Sequence, residues 1–291
     1  RQMCIRDRHQ FAWKVLGAVF GATGRMSQAM DANKTAVELS PEDATAHNNL
    51  GITFQELERF DEAEASYRQA IALKHDFAEA HYNFSVTLQT LGKLNDAESS
   101  CRQAIALKPD YAEAHNNLGI TLQELGRLEE AESSYREATI LKPDYAEAHY
   151  NLGITLHELG RLEEAEANYR RTIALKSEYP EAHYNLGVIL KQLGKLNEAE
   201  SSYRNAITLK PDYAEAHYNL GITLHELGEL DEVEANYKQA IVLKPDYAEA
   251  YSNLGNILQE LGRYHEAESR YREAIALTVS YTHLRAHETR P

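Results

Sequence analysis

Glycine spacing constrains this chain more than any other feature. Gly17, Gly51, Gly119, Gly153, Gly187, Gly221 and Gly255 share one 34-residue register, with Ser85 in its only gap. Gly24, Gly92, Gly126, Gly160, Gly194, Gly228 and Gly262 share a second register seven residues later, with Glu58 in the gap. Pro41, Pro109, Pro143, Pro211 and Pro245 mark a third. A fixed period of this length means stacked copies of one small unit rather than a globular core. Eight units fit, at 10–43, 44–77, 78–111, 112–145, 146–179, 180–213, 214–247 and 248–281.

Within a unit the apolar spacing predicts two helices. In 112–145, His115, Leu118, Gly119, Leu122 and Leu125 line one stripe of the first. Gly126 can take the left-handed conformation that ends it. Leu128, Ala131, Tyr135 and Ala138 form the stripe of the second, and Pro143 just beyond blocks further turns. Tyr67, Tyr135, Tyr169, Tyr203, Tyr237 and Tyr271 are therefore core, as are Tyr111, Tyr145, Tyr179, Tyr213 and Tyr247 at the junctions. Such a short amphipathic pair must stack on neighbours to cover its apolar stripe.

Composition narrows function by exclusion. With 30 Lys and Arg against 45 Asp and Glu, the formal charge is −15, which disfavours nucleic acid and anionic lipid as partners. No apolar run is long enough to span a membrane. Cysteines number two, Cys4 and Cys101, too few for a disulfide framework or a zinc site.

The order Trp13, Leu16, Gly17, Phe20, Ala29, Ala36, Pro41 resembles the tetratricopeptide repeat signature, and the other seven units match it with small departures. Those departures are Val233 and Thr172 for alanine, Cys101 for an aromatic residue, and His75, Ser177 and Val279 for proline. The resemblance implies an all-α fold, an α-solenoid of helix-turn-helix repeats wound into a right-handed superhelix. First helices would line a concave groove and second helices the outer face. It also implies a non-catalytic interaction scaffold, located in the cytoplasm, that holds an extended partner segment. Two glycosylation sequons, at Asn33 and Asn83, are the sole hint of secretion.

The ends read differently. Met3 to Asp7 can be back-translated so that its reverse complement encodes Val279 to His283, and Leu284 to Thr289 fits the continuation of a sequencing-library adapter. Residues 1–9 and 279–291 are therefore read as adapter scars flanking the repeats at 10–278, and the natural protein is expected to continue past both. Cys4 would then be foreign. The final repeat, without a polar cap, would expose Tyr271, Ile275 and Leu277 and favour end-to-end self-association.

Candidate binding residues lie on the first helices, opposite the stacking stripe. Asn49, Asn83, Asn117, Asn151, Asn185, Asn219 and Asn253 make a column of poor helix formers whose carboxamides suit the clamping of a peptide backbone. The column is similar to the asparagine ladder of O-linked N-acetylglucosamine transferases. That likeness raises an alternative, the substrate-recognition array of a larger glycosyltransferase-like enzyme. The competing structural account is that the amides bridge adjacent repeats. Beside them stand Tyr82, Tyr150, Tyr184 and Tyr218 as an exposed aromatic column, with His157, Glu158, His225 and Glu226 further along the same face.

No cofactor or metal is expected. His47, His81, His115, His149, His183 and His217 occur once per repeat, about 10 Å apart, too far to share one zinc ion. They match Trp13 in the first unit, which points to packing. Seven Glu-to-base pairs at i, i+4, from Glu64–Arg68 to Glu268–Arg272, read as a solvated outer face. In the groove, Glu79, Glu113, Glu147, Glu181, Glu215 and Glu249, with Glu56, Glu124, Glu158, Glu226 and Glu260, outweigh Lys14 and Lys191. Partners are thus expected to be neutral or basic extended segments.

Overall fold

The computed structural model describes the backbone over residues 2–288 and side chains over residues 9–278. The reading of both ends as adapter sequence lies outside the described side chains except at His9, whose ring meets Trp13 edge-on at 6.3 Å.

Sixteen helices and no strand occur among the described residues. In chain order they are α1 (Gln2–Ala22), α2 (Met26–Leu39), α3 (Ala44–Glu56), α4 (Phe60–Leu73), α5 (Ala78–Thr90), α6 (Leu94–Leu107), α7 (Ala112–Glu124) and α8 (Leu128–Leu141). They continue as α9 (Ala146–Glu158), α10 (Leu162–Leu175), α11 (Pro180–Gln192), α12 (Leu196–Leu209), α13 (Ala214–Leu227), α14 (Leu230–Leu243), α15 (Ala248–Glu260) and α16 (Tyr264–Glu288). The chain divides into two compact units at the Asn151–Leu152 bond. Within each, consecutive helices pair as hairpins and each hairpin packs on the next.

Each hairpin is turned by the second glycine register. Gly24, Gly92, Gly126, Gly160, Gly194, Gly228 and Gly262 all have φ between +71° and +80°. The following N–H then reaches back five residues, as Arg127 does to the Leu122 carbonyl at 2.9 Å. That bond satisfies an orphan carbonyl at the helix end. Glu58 adopts the same conformation, φ 57°, with a side chain.

The first glycine register serves close approach instead. A Cβ added at Gly51, Gly119, Gly153, Gly187, Gly221 or Gly255 would come within 2.6–2.8 Å of the tyrosine ring of the second helix in the same repeat. Tyr67, Tyr135, Tyr169, Tyr203 and Tyr237 are accordingly buried to 2% exposure or less. Tyr271, expected in the core, is half-buried. The third repeat breaks both positions together: Ser85 brings a Cβ where glycine is usual, and Cys101 replaces the ring that the Cβ would strike.

Repeat junctions are hydrogen-bonded as well as packed. Nε2 of His47, His81, His115, His149, His183 and His217 lies 2.9–3.3 Å from the carbonyl six residues earlier, that of Pro41, His75, Pro109, Pro143, Ser177 and Pro211 respectively. The histidine column therefore pins the loop between repeats, a more specific role than the packing expected from the sequence. Where Ser177 replaces proline, Pro180 sits at the first turn of α11, where its missing N–H costs nothing.

The junction tyrosines are half-buried rather than core. The lysine three residues before each ring, just past the end of the second helix, covers one side. Its ammonium lies 4.4–4.9 Å from the ring centroid in Lys74–Phe77, Lys108–Tyr111, Lys142–Tyr145, Lys176–Tyr179, Lys210–Tyr213 and Lys244–Tyr247. A charged neighbour must stay hydrated, so the ring edge stays at the surface.

Candidate functional site

The first-helix face was expected to offer asparagines and exposed tyrosines to a partner, with bridging of adjacent repeats by the amides as the competing account. Stacking joins several of them across repeats. Asn83 Nδ2 donates to Asn48 Oδ1 at 3.1 Å and Asn151 Nδ2 to Asn116 Oδ1 at 3.2 Å. Asn219 Nδ2 donates to the Tyr184 hydroxyl at 3.0 Å and Asn253 Nδ2 to that of Tyr218 at 3.1 Å. Asn49 and Asn185 are half-buried at equivalent positions of α3 and α11. These contacts tie four of the repeats to the one before.

Asn117 departs furthest from expectation. It is 6% exposed, and its Nδ2 donates inward to Ser85 Oγ at 3.1 Å and Cys101 Sγ at 3.2 Å. With no tyrosine at position 101 the amide turns into the space the ring fills elsewhere. Asn117 is thus buried in the core rather than presented on the first-helix face.

The tyrosine column is also half-buried, not exposed. Tyr82, Tyr184 and Tyr218 pack against Tyr111, Tyr213 and Tyr247 with centroids 5.0, 4.8 and 4.7 Å apart, while Tyr150 is half-buried on α9. Burial foremost, then nearby carboxylates, pushes the Tyr82, Tyr184 and Tyr218 phenols above their ordinary pKa, keeping them neutral. In the first repeat an ionic contact takes the place of the aromatic pair: Lys14 Nζ lies 2.7 Å from Asp43 Oδ2. Asp43 also caps α3 by accepting from the Thr45 and Ala46 N–H groups.

A second row of contacts crosses the repeats two helical turns further along. Gln89 donates to Glu124 at 2.8 Å, His157 approaches Gln192 at 3.1 Å, Lys191 meets Glu226 at 3.4 Å and His225 meets Glu260 at 3.2 Å. Glu158 is exposed on α9. The charge balance of this face also differs from expectation. Glu113, Glu181 and Glu215 pair with Lys142, Lys210 and Lys244 at 2.9, 3.8 and 3.3 Å, so much of that acidic column is neutralised within the chain.

Two register-equivalent cavities of about 400 Å³ open on this face. One, in the second unit, brings together His225, Glu226 and Asn253 with Ile222, Tyr237 and Glu260. The other, in the first unit, is walled by Ala18, Gly21 and Ala22 where the former has Ile222, His225 and Glu226, and it has Asn33 in place of Tyr237. Sequence reasoning missed this second cavity. Its signal was available as the substitution of Asn33 on the tyrosine register.

Among the described residues no cluster of His, Cys, Asp and Glu could hold a metal ion, and no helix is long and apolar enough to cross a membrane. Cys101 is buried, and burial raises its thiol pKa, which disfavours the thiolate.

Comparison with known proteins agrees with this repeat architecture. The TPR repeat model matches residues 88–126, 121–160, 155–194, 189–228 and 223–262, and tetratricopeptide repeat models match 44–77 and 248–280. No curated protein sequence matches the chain. Among solved structures, YrrB, described as a TPR protein with an unusual peptide-binding site, aligns with a TM-score of 0.58 at 24% identity, covering 63% of this chain and 95% of that one. MamA aligns at 0.55 and 25% identity over 57% of this chain and 96% of its own. PilF of Pseudomonas aeruginosa aligns at 0.65 and 20% identity over 71% of this chain and 94% of its own. The helix hairpins, their glycine turns and the Gly–Tyr contacts repeat along the same residues that the family models match, and the chain belongs to the tetratricopeptide repeat family.

Proposed function

We propose that this chain is a non-catalytic interaction scaffold whose first-helix face holds an extended segment of a partner protein. The observation that carries the reading is the convergence of His225, Glu226 and Asn253, three residues selected from sequence alone, around one open cavity beside the apolar Ile222. Apolar wall, convergent polar groups and an open mouth are what a binding site for a peptide side chain requires. YrrB has a peptide-binding site, so this fold can present one.

The asparagine column acts in two directions. Asn83 and Asn219 donate within the chain, which leaves their carboxamide oxygens for N–H groups of a partner backbone. Asn49, Asn151, Asn185 and Asn253, with Tyr82, Tyr150, Tyr184 and Tyr218, form the remaining contact surface, joined by His157 and Glu158. Asn117, being buried, takes no part.

Partners are neutral or basic, because Glu56 and Glu124 form no ion pair among the described residues and the chain carries −15 overall. Fluorescence polarisation with labelled basic, neutral and acidic peptides at about 50 and 300 mM salt tests this. Basic peptides should bind best and weaken with salt. Replacing His225 and Glu226 with Ala should weaken binding severalfold while leaving the melting curve nearly unchanged, since their contacts with Glu260 and Lys191 lie near the surface and are worth about 1 kcal/mol at most. Tight binding of an acidic peptide at the higher salt would overturn the reading.

A further inference from the structure

Between the amides and the acids of the first-helix face runs a third column, and it is apolar. In the first unit it consists of Ile52, Val86 and Ile120, on α3, α5 and α7. In the second it consists of Ile154, Val188 and Ile222, on α9, α11 and α13. Ile52 is 40% exposed and the other five are half-buried. One helical turn before this column stand Asn49, Asn83, Asn151, Asn185 and Asn219. One turn after it stand Glu56 and Glu124 in the first unit, with Thr90 between them, and Glu158 and Glu226 in the second, with Gln192 between. A carboxylate therefore occurs on every second repeat. The two cavities cut across all three columns: Asn49, Ile52 and Glu56 line one, and Asn253, Ile222 and Glu226 the other.

Spacing decides what such a column can hold. Helices α3, α5 and α7 touch in succession, and the Asn83–Asn48 and Gln89–Glu124 bonds span neighbours. Helices packed so closely have axes about 8–10 Å apart, and their column side chains recur at the same interval. A β-strand presents the same face every second residue, about 6.7 Å, and falls out of step. An α-helix returns after about 10.5 Å but keeps its N–H groups for itself, so the amide column would have nothing to hold. A polyproline II helix returns every third residue, about 9.3 Å, and makes no internal hydrogen bonds. Its N–H groups can meet carboxamide oxygens such as that of Asn83, whose Nδ2 is already engaged with Asn48.

We infer that the partner segment lies on this face as a polyproline II helix, with an apolar residue at every third position and a basic residue at every sixth. Proline suits the apolar positions, because its ring is apolar and its fixed φ is already that of the bound form. The inference rests on the scaffold reading above and adds to it the conformation and the sequence period of the bound segment.

The test titrates the full chain, by fluorescence polarisation, against two labelled peptides of one composition and about twelve residues. One repeats Pro-Lys-Ser-Pro-Ser-Ser; the other sets its prolines two and four residues apart. The periodic peptide should bind at least about tenfold tighter. Ile52→Asn combined with Ile222→Asn gives both units the residue that Asn256 supplies to this column in the last repeat. That pair should weaken the periodic peptide about fivefold to tenfold. Ile140→Asn with Val242→Asn, at residues 68% and 71% exposed on the second helices α8 and α14, should leave its binding unchanged. The comparison of the two peptides on the native chain stands even where a variant fails to fold. Equal binding of the two peptides, or equal losses in the two variant pairs, would overturn the inference and leave the scaffold reading intact. Binding of neither peptide, where an irregular basic peptide does bind, would have the same consequence. Binding of no peptide at all would overturn both.

Discussion

At the scale of residues, the repeats differ through coupled pairs. Gly119 accepts the Tyr135 ring because it has no Cβ, whereas Ser85 has one and faces Cys101. Gly119→Ala should destabilise by about 1–3 kcal/mol through overpacking. Adding Tyr135→Cys should recover part of that loss, so urea unfolding of the two single variants and the double variant should give a clearly non-additive cycle. A second pair concerns the ring hydroxyl. Tyr67 and Tyr135 donate to Gln55 and Gln123, both at 3.2 Å. Tyr203 has Lys191 at the matching position, whose ammonium is turned to Glu226, and its hydroxyl is buried without a partner. Lys191→Gln should supply the missing acceptor and raise stability by about 0.5–1 kcal/mol in the same assay. The Gly–Tyr register was legible in the sequence as spacing. The pairing of the Tyr67 and Tyr135 hydroxyls with Gln55 and Gln123 was not, because the two residues lie on different helices and meet only after the hairpin closes.

At the scale of elements, most of the hairpin is legible in residue spacing. Glycine at the turn, proline past the second helix and small residues on the inner stripe each have one local cause, and the helices end where those residues stand. Glu58 tests the turn rule. It occupies a left-handed conformation, φ 57°, that costs a side-chain residue about 1–2 kcal/mol. Glu58→Gly should stabilise the chain by about 1 kcal/mol, read as a raised urea midpoint with unchanged slope. What spacing did not reveal at this scale is how junctions are fastened. The His-to-carbonyl bonds and the Lys–aromatic contacts depend on a loop conformation that the repeat period does not specify.

At the scale of the whole molecule, the outer charges do more than solubilise. Glu64, Glu98, Glu166 and Glu234 hold the i, i+4 partner and also a cation from the next repeat: Lys93, Arg127, Lys195 and Arg263, at 2.7, 2.8, 2.7 and 2.7 Å. Burial pushes the Glu64, Glu98 and Glu166 carboxyls up, but the paired cations outweigh it and hold them below the ordinary carboxylate value; at Glu234 the hydrogen bond from Lys238 leads. A carboxyl depressed in the folded state stabilises fully above its unfolded value and loses that contribution as pH falls through the folded one. The urea midpoint should therefore hold near neutral pH and fall below about pH 4.5. Substituting Gln for Glu64 and Glu98 should lower the midpoint at neutral pH and flatten the acid loss. In a repeat stack, where stability is a sum over nearest neighbours, weakened junctions should also broaden the transition.

Sequence by itself determined the period, the helix pairs, their turns and the residues that form the inner stripe, because each follows from local geometry repeated along the chain. It also singled out one face of the first helices. Tertiary structure decided which groups on that face remain available. Contacts at separations of 29 and 35 residues, such as Lys14 with Asp43 and Asn253 with Tyr218, are set by how one hairpin seats on the next. That seating buried Asn117, stacked the tyrosines and left Asn33 with an unanswered carbonyl beside an open cavity. Backbone periodicity is a property of the single repeat, whereas hydrogen-bond satisfaction is a property of neighbours in space.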